Sequence, residues 1–221
     1  KYFSNYEIFK VFKKNKRLLL FLFEEKIVIV DKNIYDEMMK PKYRSFKYPE
    51  YFSFEIMPFF EDEFKKNQHN CQYSNENRIL YEKIQDNLKE NKEQFNEKRR
   101  NGENDGQLYK IIQKDLIEEF IIYMDKNSYP LQANDEESIF ETNPFLLKRK
   151  ETTLIEYAAF FGSIQIFKYL YKNGINLNPS LWLYGIHGDN EEIFHILDYP
   201  YSTKECIHES IKCHHNHIAN Y

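Results

Sequence analysis

Apolar positions fall at helical spacing over most of the chain. From residue 1 to 60 short apolar groups alternate with lysine-rich turns: Phe9 and Phe12, then the run Leu18–Phe23, closed by Glu24 and Glu25. This pattern predicts short amphipathic helices. Ile27–Val30 is wholly β-branched and predicts a short strand. Asp31 suits the N-cap of a helix running through Met38 and Met39. Residues 48–60, YPEYFSFEIMPFF, are densely aromatic. Pro49 suits a helix start, and Pro58 is expected to end or kink the helix. Core packing is the reading for this stretch, with a partner surface as the alternative. Residues 61–77 are polar and rich in asparagine, which predicts a loop. Leu80, Ile84, Leu88 and Phe95 then predict one long helix over 78–100, stopped by Gly102 and Gly106. Arg99 and Arg100 read as its solvated end.

The stretch 108–124 again has helical spacing, and a break near Asp115 would make it a helix pair. Residues 125–150 read as an irregular connection. From 150 onward the pattern sharpens. Residues 152–178 read as helix, tight turn, helix, cap. Thr153 followed by Glu156 is a capping-box signature. Ala158 and Ala159 let helices approach closely, Gly162 makes the turn, and Gly174 suits a C′ position.

The unit recurs. Gly185 stands where Ala158 stands, 27 residues on, and Ser210 stands where Gly185 stands, 25 residues on. Ser180 takes the place of Thr153, and Trp182 that of Ile155, a core position. Three hairpins are therefore expected, centred on Gly162, Asp189 and His214–His215. The third stops at Tyr221 soon after its second helix begins, so further repeats are expected to follow in a longer protein. The first residue is Lys rather than Met, which reads as a fragment.

Thr153-Leu154-Ile155-Glu156-Tyr157-Ala158-Ala159, Gly162-Ser163 and Gly174-Ile175-Asn176-Leu177-Asn178 resemble the opening, turn and ending of an ankyrin repeat. The proline and histidine of that family's first helix are absent. Both shifts fall short of the family's period of about 33 residues, which suggests shortened fingers between repeats. The chain looks most like divergent ankyrin-repeat proteins with a domain of unknown function in flagellated protists. This resemblance is specific over 150–221, looser over 105–124 and weakest over 1–100. It implies an all-α fold, a stacked helix-turn-helix (ankyrin-like) solenoid preceded by a helical N-terminal region. The region would cover 1–104 and the repeats 105–221, divided as 105–150 (degenerate), 151–178, 179–203 and 204–221 (truncated). It also implies that the residues after the Ala-Ala position face a binding surface: Phe160, Phe161, His187 and Lys212. Packing of Phe160 or Phe161 on the next repeat is the open alternative.

Composition narrows the function. A net charge of −4 argues against a general nucleic-acid binder. The longest apolar run is too short to span a bilayer. Three cysteines point to reduced thiols and a cytoplasmic or nuclear setting. No glycine-rich phosphate loop, nucleophile elbow or zincin motif is present. Cys71 and His69 lie near each other in a polar loop and read as incidental. Asp189 to Glu192 read as charges favouring a helix start.

The last sixteen residues, CIHESIKCHHNHIANY, invite a metal reading. A structural zinc needs four converging ligands. The repeat phase sends Cys206, His208, Cys213, His214, His215 and His217 to different faces, so no metal and no cofactor is expected. The expected function is a non-enzymatic module that recruits or scaffolds a protein partner. The alternative is a structural subunit of a large cytoskeletal or filament assembly.

Overall fold

The computed structural model describes residues 3–67, 75–134, 138–149, 151–197 and 204–219. Among these, all regular elements are helical. No helix is long and apolar enough to cross a membrane. The chain divides into two compact units, Lys1–Asn104 with Glu137–Lys148, and Asp105–Glu136 with Arg149–Tyr221. Residues 138–148 fall in the first unit.

The first unit begins with α1 (Asn5–Phe12), α2 (Lys16–Glu24), α3 (Lys32–Met38), α4 (Pro41–Arg44) and α5 (Tyr48–Tyr51). It continues with α6 (Ser53–Asn67), α7 (Asn75–Lys89) and α8 (Lys92–Asn101). Asp31 caps α3 as expected, accepting from the Ile34 N–H at 2.9 Å. The aromatic stretch is core: Tyr51, Phe52 and Phe60 are buried, and Phe52 meets Phe23 edge-on.

Four expectations fail here for physical reasons. Ile27–Val30 is not a strand. Among the described residues no ladder partner lies beside it, and the N–H groups of Ile27 and Val28 turn back to the Leu22 carbonyl at the end of α2. Helix α6 does not end at Pro58 but runs on to Asn67, into the stretch read as a polar loop. Ile56 and Phe60 are buried on either side of the proline. Their packing outweighs the roughly 3 kcal/mol that an interior proline costs. The expected long helix breaks at Asn91, whose carboxamide accepts from the N–H groups of Glu93 and Gln94 and starts α8 anew. Arg99 is not a solvated end but 1% exposed. It pairs with Glu55 at 2.8 Å and lies over the rings of Phe95, Tyr51 and Phe54.

Residues 138–148 strap this unit. Buried Lys16 donates to the carbonyls of Ile139 and Glu141 at 3.2 and 3.1 Å. The hydroxyl of Thr142 donates to the carbonyl of Gly102, the left-handed residue that ends α8.

Among its described residues the second unit has four helix pairs: α9 (Gln107–Gln113) with α10 (Ile117–Asn127), and α11 (Leu154–Phe160) with α12 (Ile164–Lys172). Then come α13 (Leu181–Gly188) with α14 (Glu191–Leu197), and α15 (Lys204–Lys212) with α16 (Asn216–Ala219). The helices form two rows. In one, α9, α11, α13 and α15 each pack on the next; in the other, α10, α12 and α14 do so. The break at Asp115 and the hairpins at Gly162, Asp189 and His214 stand where the pattern placed them.

The turns share a left-handed residue. Asp115, Gly162, Asp189 and His214 all have left-handed backbones, with φ of 53°, 67°, 47° and 62°. In three of them the turn residue donates its N–H three residues back and the next residue donates five back: Asp115 and Leu116, Gly162 and Ser163, His214 and His215. Asp189 donates to the Gly185 carbonyl instead. The capping box at Thr153 forms, with the Glu156 carboxylate accepting from the Thr153 N–H at 2.9 Å. The other Glu156 oxygen takes the hydroxyl of Ser180 at 2.6 Å, which ties α11 to the start of α13.

Candidate functional site

Consecutive turns of the second unit touch, and they do so through side chains. The Ser163 hydroxyl donates to the Ile112 carbonyl, and the Asp115 carboxylate accepts from the N–H groups of Gln165 and Ile166 at 2.9 and 3.0 Å. Asp115 thus supplies the missing acceptor at the start of α12. One pair further on, the Asn190 carboxamide donates to the Gly162 carbonyl at 3.1 Å.

The last junction is different in kind. Asp189 occupies the turn position that Asp115 occupies, but its carboxylate meets two imidazoles. One oxygen lies 3.2 Å from His215 Nδ1 and the other 2.9 Å from His217 Nε2. The two rings stand edge to face with centroids 5.9 Å apart. Asp189 and His217 also line a cavity of about 280 Å³. Its apolar wall is Trp182, Phe194 and Ile218, and its rim carries Glu191 and His195.

A second cluster lies beside the first, between α13 and α15. His187 Nε2 is 3.1 Å from a Glu209 oxygen, and Cys213 Sγ is 3.4 Å from His187 Nδ1. The other Glu209 oxygen takes the Lys212 ammonium at 2.7 Å. Burial is the main influence on His187 and lowers its pKa, although Glu209 pulls the other way. Burial alone would raise Glu209, but the Lys212 ammonium and His187 outweigh it and hold the carboxyl below its usual range. Burial pushes the Cys213 thiol up, and Glu209 and Asp189 add to this. That thiol is a poor nucleophile in this state, since reactivity belongs to the thiolate.

The expected binding residues separate. Phe160 is 8% exposed and stacks on the His187 ring at 4.7 Å. It packs on the next helix pair, the alternative left open for it by the sequence. Phe161 and His187 are half-buried and Lys212 is exposed. Trp182 is buried against Phe194, as its repeat position predicts.

The six cysteines and histidines of the final stretch do not all scatter. Cys206 is buried, and His208 and His214 are exposed, as the repeat phase requires. Cys213, His215 and His217 instead converge on residues of the preceding pair. Two groups therefore bring three metal-ligating atoms within 4.8 Å of one another: His187, Glu209 and Cys213, and Asp189, His215 and His217. Glu209 and Asp189 were not expected in this role. The signal for Asp189 was available in its alignment with Gly162 at the turn. Glu209 carried no comparable mark. Cys71 and His69 lie outside the described residues.

No protein-family model, no curated protein and no solved structure matches the chain.

Proposed function

We propose that the chain is a non-enzymatic protein-interaction module of ankyrin-repeat type, which recruits or scaffolds a protein partner in a cytoplasmic setting. One observation carries this reading. A left-handed turn residue recurs four times among the described residues, and each first-row helix packs on the next. A row built this way buries each unit on its neighbours and leaves a continuous face for a partner. Phe161, His187 and Lys212 are the residues offered on that face, one from each of three successive helix pairs. Phe160 backs them from inside.

A second reading is a structural subunit of a large cytoskeletal or filament assembly. It is favoured by Ile207 and Ile211, which are 40% and 54% exposed one turn apart on α15. Such a pair gains most from a permanent contact.

The test compares the proteins captured from the native cell by the wild-type chain, by Phe161→Ala and by Lys212→Ala. The module reading expects a specific partner that is lost from the variants while their melting temperatures hold. A partner retained equally by all three would sink the assigned face. Co-purification with a polymer that survives high salt would favour the second reading.

A further inference from the structure

We propose that Asp189, His215 and His217 form a site for a divalent transition-metal ion of the zinc class, which joins the third helix pair to the fourth. The ligand atoms are two imidazole nitrogens and one carboxylate oxygen, all within 4.8 Å of one another. Ligand atoms around a tetrahedral zinc, each about 2.0–2.1 Å from the ion, stand a little over 3 Å apart. In the present arrangement one Asp189 oxygen stands 3.2 Å from His215 Nδ1 and the other 2.9 Å from His217 Nε2, contacts of the order of that spacing. An ion between them therefore needs small side-chain rotations rather than backbone movement.

The donor set selects the metal. Two imidazoles with one carboxylate suit zinc and its first-row neighbours, whereas calcium and magnesium take oxygen donors. Three protein ligands leave a fourth position for water. The cavity that Asp189 and His217 line has room for that water, or for a donor from a partner.

Packing alone does not account for the arrangement. At the first junction an aspartate in the same left-handed turn position caps the next helix through two backbone N–H groups. At the last junction the carboxylate takes two side-chain imidazoles instead. Asp189 is 38% and His217 61% exposed, and an ion pair so exposed contributes little on its own. A bound cation replaces these two contacts with three coordinate bonds, one from the carboxylate and two from the imidazoles. The site also holds α16 by His217 and the turn before it by His215. Metal therefore acts on the order of the fourth pair as well as on its charge, because binding energy at a site assembled only on folding is folding energy. This goes beyond the interaction-module reading and does not depend on it.

The experiment titrates the tag-free chain with Zn²⁺ against a chelating dye, with Co²⁺ absorption as a second readout of coordination. One ion per chain is expected to bind at micromolar concentration. His215→Ala, His217→Ala and Asp189→Asn should each weaken binding at least about tenfold, the lower end of what even a supporting residue of a metal site is worth. His208→Ala, on an exposed position of α15, should bind as the wild type does. His217→Ala removes an exposed side chain, and circular dichroism checks that its helices persist. Three results would overturn the proposal. The first is no binding at micromolar Zn²⁺. The second is wild-type affinity in His217→Ala. The third is loss of binding in Cys213→Ser with retention in His217→Ala, which would put the ion at the neighbouring His187 cluster.

Discussion

Gly188 lies so close to Gly162 that a Cβ placed on it would stand 2.6 Å from the Gly162 amide nitrogen and 2.1 Å from the Ala159 carbonyl oxygen. Both neighbours are backbone atoms that cannot rotate away. Gly188→Ala should therefore cost about 3 kcal/mol, the upper end of ordinary overpacking. Gly174→Ala is the control. Its Cβ would meet nothing within 4 Å, but its φ of 84° leaves a strain of about 1–2 kcal/mol. Urea melts of the two variants measure the difference, and equal losses would mean that the close approach is not there. Ala159→Leu acts at the same crossing, where Ala159 is wholly buried, and should cost roughly 1–3 kcal/mol.

Phe160→Ala should lower stability by about 3–5 kcal/mol, as the deletion of a buried ring does. The ring fills the space between Phe161 and His187, with centroids 5.0 and 4.7 Å away. A thermal melt checks this. An unchanged melting temperature would return Phe160 to the list of surface residues and make it the first place to look for a partner contact.

Asp115→Gly separates capping from backbone strain. Glycine accepts the left-handed turn without strain, and the strain relieved opposes the entropy that glycine adds to the unfolded chain, so the main loss is the two bonds from Gln165 and Ile166. The expected loss is about 1–2 kcal/mol, in the range of an N-cap deletion. Stability equal to wild type would show that water caps α12 as well as the carboxylate does.

The strap of the first unit gives a pH dependence. Burial pushes the Glu141 carboxyl up to about 7 from an ordinary 4.5, against the pull of the Asn143 and Thr142 amides and of Lys16. The folded state then holds this proton more tightly than the unfolded state. Between those two values the folded state binds more protons, so this group's contribution to stability falls as pH rises through the window and levels off above it. The size is on the order of 3 kcal/mol. Glu141→Gln should flatten the decline measured between about pH 5 and about pH 8. A slope identical to wild type would mean that Glu141 titrates normally.

Much of the second unit was legible because its signals are local. A capping box, an alanine pair and a turn glycine lie within ten residues of Thr153. Even the weaker break at Asp115 showed as an interruption of apolar spacing. The last cluster was hidden because its members belong to different stretches. Asp189 meets His215 and His217 only after α13 and α15 have packed, and no spacing within CIHESIKCHHNHIANY records that. In the first unit, β-branching at Ile27–Val30 signalled a residue preference but not the partner strand that a ladder needs. Asn91 looked like an interior helix residue, although its side chain is better suited to starting one. Arg99 was misjudged because its counter-charge, Glu55, lies on α6.

Because the backbone closes the turn at each of the four left-handed positions, the side chain carried there is a spare part. Asp115 spends it on capping a helix, Gly162 leaves it blank so that another backbone can approach, and Asp189 presents it to two imidazoles. The architecture tolerates all of these. The row thus behaves like a rack with one socket per shelf, of which the one at Gly162 is closed by the Gly188 backbone. New chemistry can be fitted at an open socket without redesigning the shelves, so comparison of such chains should begin at this register rather than at the helices.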